Sequence, residues 1–164
     1  MSRRLACMAS TFLVALVGAA CAADETETVP GGLGYAVEFP SKQAAIASES
    51  LKVYVFAADQ DCLTLIQRRK SGGALPAPLA ETAAAPVCDY FSGAAGGTIE
   101  LAAGTYVVLA VAQRQNRDFL LGCVESKTDA TTTIEPVQLT LADETVGVPA
   151  SSCTLLADKC GNRC

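Results

Sequence analysis

Eight cysteines stand at positions 7, 21, 62, 88, 123, 153, 160 and 164 of a 164-residue chain that contains no histidine. What such a set can do depends on the compartment, and the N-terminus indicates an exported one. Arg3 and Arg4 precede an apolar run over residues 5–17. The small residues Gly18, Ala19 and Ala20 follow, and then the acidic stretch 24–27. That order of charge, apolar run and small residues is the pattern of a secretory leader. The run is about 13 residues, short of the ~20 that a membrane-spanning helix needs. Residues 1–20 are therefore expected to be a signal peptide. Cys7 leaves with it, and Cys21 is either modified or removed. The six that remain, Cys62, Cys88, Cys123, Cys153, Cys160 and Cys164, are an even number. In an exported chain that predicts three disulfides, although spacing alone does not choose the partners. Each would contribute about 2–4 kcal/mol, so together they rival the whole net stability of a small domain.

Two cleavage chemistries compete at the end of the leader. Val17-Gly18-Ala19-Ala20-Cys21 resembles a bacterial lipobox, in which the cysteine after the small residues is lipidated and becomes the mature N-terminus. The preferred Leu three places before the cysteine is replaced here by Gly18. Ala20-Cys21-Ala22 also fits an ordinary A-x-A site, with cleavage before Ala23. The polar residues after Cys21 favour the lipobox. The expectation is an extracytoplasmic lipoprotein held through Cys21, in the outer membrane or facing the periplasm; the alternative is a secreted or periplasmic chain. Residues 21–33 then read as a flexible tether.

Several chemistries are excluded by composition. Removal of Arg3 and Arg4 with the leader leaves 10 basic and 17 acidic residues, a formal charge of −7. Nucleic acid demands a basic footprint, so it is not an expected partner. Without histidine there is no Ser–His or Cys–His nucleophile pair and no zinc site with His ligands. The spacing of Cys153, Cys160 and Cys164 does not match a zinc knuckle, and there is no C-x-x-C redox pair. The acidic pairs Asp59/Asp61 and Asp143/Glu144 are the remaining candidates for acid–base work. Asp59-Gln60-Asp61 lacks the other ligands and the glycine of a Ca²⁺ loop. The basic run Arg68-Arg69-Lys70 reads as a solvated loop. No catalytic residue, cofactor or metal is expected.

Residues 34–148 read as one β-domain. The strongest strand signal is 51–57 (LKVYVFA), rich in β-branched and aromatic residues. Further strands are expected at 35–39, 62–67, 87–91, 98–101, 105–113, 119–125 and 131–141. Pro136 confines the last to an edge or a bulge. Residues 71–86 read as a long loop or a poor helix, and 47–50 and 114–118 as short polar connections. Seven or eight short strands with turn signals between them imply an all-β fold, a single antiparallel immunoglobulin-like sandwich stapled by disulfides. Residues 149–164 form a separate cysteine-rich end, read as a clamp on the sandwich in preference to a recognition tip.

Residues 101–108 (LAAGTYVV) place Gly104 before a strand and Tyr106 two places on. Tyr106 can pack its ring inward while its hydroxyl reaches a nearby backbone group. This resembles the L-x-x-G-x-Y strand entry of transthyretin-like and carboxypeptidase-regulatory-like sandwiches. The wider layout, with LKVYVF before a first cysteine and Gly122-Cys123 closing a later strand, resembles small lipoproteins of myxobacteria. The resemblance implies a Cys62–Cys123 bridge stitching two sheets, a bridge from Cys88 to the C-terminal segment, and a small loop closed by the last cysteines. The expected role is that of a non-enzymatic envelope lipoprotein whose sandwich binds or scaffolds an envelope partner. The alternative is a soluble ligand-binding or inhibitor module.

Overall fold

The computed structural model describes residues 27–30, 36–95, 99, 101–128 and 136–164. The leader, Cys7, Cys21 and the rest of the tether lie outside them. The described chain is mostly strand, arranged largely in antiparallel sheets with little helix, and carries three disulfides.

The central element is the hairpin of β6 (Gly104–Arg114) and β7 (Arg117–Thr128). Residues 107–112 (VVLAVA) are buried at every position, because this strand is covered on both faces. β3 (Ser50–Ala57) pairs antiparallel with β6 from Ser50↔Gln113 to Ala57↔Tyr106. Its alternation splits its side chains between two cores. Leu51, Val53 and Val55 join Val108, Ala110 and Ala112 on one face; Tyr54 and Phe56 join Val107, Leu109 and Val111 on the other.

The first face packs against a three-stranded sheet of order β1 (Glu27–Pro30), β2 (Ala36–Phe39) and β8 (Val137–Gln138). Val37, Phe39, Val137 and Leu139 contribute to the shared core. The β2–β8 pairing is parallel. Glu27–Pro30, within the segment read as a tether, pairs antiparallel with β2. Beyond Leu139 the chain changes sheets: β9 (Thr140–Leu141) pairs with β7 at Leu120 and Leu121. Gly122 lies under this crossing. A Cβ there would stand 2.2 Å from the Gln138 carbonyl oxygen, so only glycine lets the two backbones approach. The expected strand over 131–141 is thus two short pieces following Pro136, and 131–135 lie outside the described residues.

Two expected strands are helices. Residues 62–67 belong to α2 (Cys62–Lys70), and 87–91 form α3 (Val87–Phe91). Asp61 explains the first: its carboxylate accepts from the N–H of Leu63 at 3.2 Å and of Thr64 at 2.9 Å, and from the Thr64 hydroxyl. This is an N-cap. Arg68, Arg69 and Lys70 occupy the last turn, where cations suit the helix dipole. Leu65 is buried, with Cys62 and Ile66 packed beside it, while Leu63 is exposed. That is helical spacing, and it covers the second face of the large sheet. In α3 the preceding Pro86 fits a helix start, and Val87 and Tyr90 are buried three places apart. A third helix, α1 (Lys42–Ala47), fills the connection after β2, with Ser41 Oγ accepting from the Ala44 N–H. In the segment expected as a strand over 98–101, positions 99 and 101 are not in strand, and 98 and 100 lie outside the described residues.

The outer edge of β3 is covered in two steps, by β4 (Ala80–Glu81) and β5 (Ala85–Pro86), both within the expected loop. Between them Thr82 serves Val53 twice. Its N–H donates to the Val53 carbonyl at 2.9 Å, and its hydroxyl oxygen accepts from the Val53 N–H at 2.9 Å. The buried Tyr90 hydroxyl completes the group, donating to Thr82 Oγ1 at 2.8 Å.

The C-terminal segment contains α4 (Leu156–Cys160). Cys88 pairs with Cys160, joining α3 to α4, and Cys153 pairs with Cys164. Cys62 pairs with Cys123. The bridge does not stitch two sheets, because Cys62 opens α2; it fastens that helix to β7.

Candidate functional site

The site is built at the turn of the β6–β7 hairpin. Gln115 and Asn116 have φ of 51° and 58°, so a two-residue turn with both centres left-handed joins the strands. This is the turn whose twist suits a hairpin. It places Arg114 directly opposite Arg117. Both line a cleft of about 390 Å³ with Gln115, Asp118, Phe119 and Asp143. Val146, Gly147 and Pro149, on the chain leaving β9, complete the wall. Phe119 is 8 % exposed and contributes apolar surface. A second cleft of about 240 Å³ shares Arg114 and Pro149, and adds Glu49, Ser151 and Lys159.

The acids around the first cleft are engaged. Arg69 grips Asp118 with two bonds, Nε to Oδ2 at 2.8 Å and Nη2 to Oδ1 at 2.6 Å, and Gln113 Nε2 adds a third at 3.1 Å. This bidentate pair ties the end of α2 to the hairpin. The Thr145 hydroxyl and N–H donate to Asp143 Oδ1 at 2.6 and 2.9 Å; with Lys70 nearby they hold its carboxyl below the ordinary carboxylate range. Glu49 Oε2 accepts from the Gln115 N–H at 2.8 Å. The side chain of neither Arg114 nor Arg117 has a hydrogen-bond or ion-pair partner among the described residues.

Lys159, on the wall of the second cleft, reaches from α4 to the end of α1. Its ammonium donates to the carbonyls of Ile46 at 2.7 Å and Ser48 at 2.6 Å. Burial pulls its pKa below the ordinary lysine value; Glu49 opposes that shift and Arg114 adds to it.

The acidic pairs singled out in the sequence are not brought together as a site. Asp61 caps α2, while Asp59 accepts from Gln60 at the surface. Asp143 lines the cleft, and its neighbour Glu144 is exposed. Arg68-Arg69-Lys70 is the last turn of a helix, not the expected loop. Among the described residues no cluster of three or more cysteine or acidic side chains could hold a metal ion, and no helix is long and apolar enough to cross a membrane. Arg114, Arg117 and Phe119 were not singled out by the sequence. Their signal is Gln115-Asn116 between two strand patterns: a two-residue loop there forces its flanking residues to face each other.

No family model, curated protein or solved structure matches this chain.

Proposed function

We propose that the chain is an exported, lipid-anchored envelope protein with a transthyretin-like, immunoglobulin-like sandwich that binds a ligand or partner and performs no catalysis. The observation that carries the binding role is the cleft at the β6–β7 turn, with two cationic side chains left unpaired on its wall. Three features support the rest. All six cysteines that follow the tether are paired, which suits an oxidising compartment. The Tyr106 hydroxyl donates to the Ala102 carbonyl at 2.8 Å, a corner of the kind that sandwich folds use at a strand entry. The core is shared between the faces of two sheets. A catalytic role is disfavoured by the lack of histidine and by the structural duties of Asp61 and Asp118.

Metabolic labelling with palmitate tests the anchor. Label should enter the wild-type chain and be lost in Cys21→Ala, with the protein moving from the membrane to the soluble fraction. A wild-type chain that carries no label and stays soluble would make this a secreted or periplasmic binding module instead.

A further inference from the structure

The hairpin turn sets two like charges face to face without a direct ion pair to either. Arg114 and Arg117 are cross-strand partners, and like charges placed directly opposite one another destabilise a strand pair. Asp118 is ion-paired to Arg69 and bonded by Gln113, while the hydrogen bonds of Asp143 and Glu49 go to Thr145 and the Gln115 N–H, and neither accepts one from the two guanidinium groups. Arg114 and Arg117 both line the cleft, and a guanidinium fork presents paired donors that match carboxylate and phosphate geometry. The same cleft offers the apolar surfaces of Phe119, Val146 and Pro149. Its volume of about 390 Å³ lies at the small end for ligand pockets.

We propose that this cleft binds a small ligand with one oxyanion group, a phosphate ester or a carboxylate, on an apolar body, the anion bridging Arg114 and Arg117. Asp143 sets the limit on charge. Its carboxylate, held ionised by Thr145, also lines the cleft and repels a second anionic group. The inference rests on the binding role proposed above but not on the lipid anchor. The phosphate could be free or presented by a lipid headgroup, and the test separates the two.

The test uses the exported Cys21→Ala chain, followed by NMR at the Gln115 and Asn116 amides and the arginine Nε–H groups. The probes are inorganic phosphate, phenyl phosphate, benzoate, and phosphatidylcholine vesicles with or without phosphatidylglycerol. Phenyl phosphate and benzoate should give saturable shifts at the turn. Phenyl phosphate should bind several-fold more tightly than inorganic phosphate, because its ring removes apolar surface from water. Arg114→Gln or Arg117→Gln should weaken binding about tenfold or more, the loss expected for a charge-assisted pair of bonds. Asp143→Asn should strengthen it. In the absence of ligand, both arginine variants should unfold at the same or a higher denaturant concentration, since each relieves a repulsion; a merely structural arginine would give the opposite. Shifts produced only by vesicles containing phosphatidylglycerol, and lost in the arginine variants, would assign the anion to a lipid headgroup. No saturable shift with any probe, or affinities unchanged in both arginine variants, would overturn the proposal. Palmitate labelling of the wild-type chain reads the anchor separately.

Discussion

Gly122 and Gln138 meet backbone to backbone, where the chain that leaves the small sheet crosses onto β7; a methyl group on Gly122 would lie 2.2 Å from the Gln138 carbonyl oxygen. No side-chain rotation relieves that clash, because the obstacle is main chain. Gly122→Ala should therefore cost about 3 kcal/mol, the upper part of the usual range for overpacking. Urea unfolding should show the loss as a lower midpoint with an unchanged slope.

The bridges should differ in weight according to the loop each closes. Cys62–Cys123 spans 61 residues and Cys153–Cys164 spans 11. A longer closed loop restricts the unfolded chain more, so removing the first with paired alanines should cost about 4 kcal/mol and removing the second about 3 or less. Denaturant midpoints of the two double variants would check the order. The Cys62/Cys123 variant should also expose the α2 amides to faster hydrogen exchange, because the helix is then held to the hairpin only by the packing of Leu65 and Ile66 and by the Arg69–Asp118 pair.

Thr82 and Tyr90 offer a comparison inside the core. Tyr90→Phe removes a hydroxyl from Thr82 Oγ1 but leaves the Val53 N–H its acceptor. The expected loss is about 1 kcal/mol. Thr82→Val removes the acceptor of the buried Val53 N–H and leaves the tyrosine hydroxyl only the longer bond to the Ala83 carbonyl at 3.2 Å, so it should cost more, about 2–3 kcal/mol. Equal losses in the two variants would contradict this arrangement.

Lys159 predicts an alkaline signature. Its folded pKa is lowered, chiefly by burial, so between that value and the ordinary lysine value the unfolded chain binds more protons than the folded one. Stability from this group should rise with pH across that window. The difference in unfolding free energy between wild type and Lys159→Met, measured along a pH series, should grow in the alkaline range. The wild type should also be the more stable at neutral pH, because methionine cannot serve the Ile46 and Ser48 carbonyls.

Much of the sheet was legible because its signals are local. Residues 51–57 and 105–113 carry β-branched runs long enough to identify a strand, and β6 and β7 extend past the expected limits by only a few residues. The helices are ambiguous in sequence for a physical reason. In 62–67, Cys62, Leu63, Leu65 and Ile66 satisfy a strand pattern as readily as a helical one over so short a window. Asp61 and the basic triplet 68–70 were the discriminating signals: a cap at one end and dipole-matched charge at the other. For 87–91 the discriminator was Pro86. The cleft was less legible still. Arg114 and Arg117 acquire meaning only when the turn sets them opposite one another, and Phe119, Val146 and Pro149 join them through folding that no local pattern encodes.

The double cover on β3 bears on how copies of this protein can live side by side. A bare strand edge is a template on which another chain can lay its own strand. Here β4, Thr82 and β5 occupy that template in succession, and Pro86 presents no N–H along it. The sheet therefore ends where its own chain ends it. Molecules concentrated on a surface can touch along this side without any of them extending another's sheet.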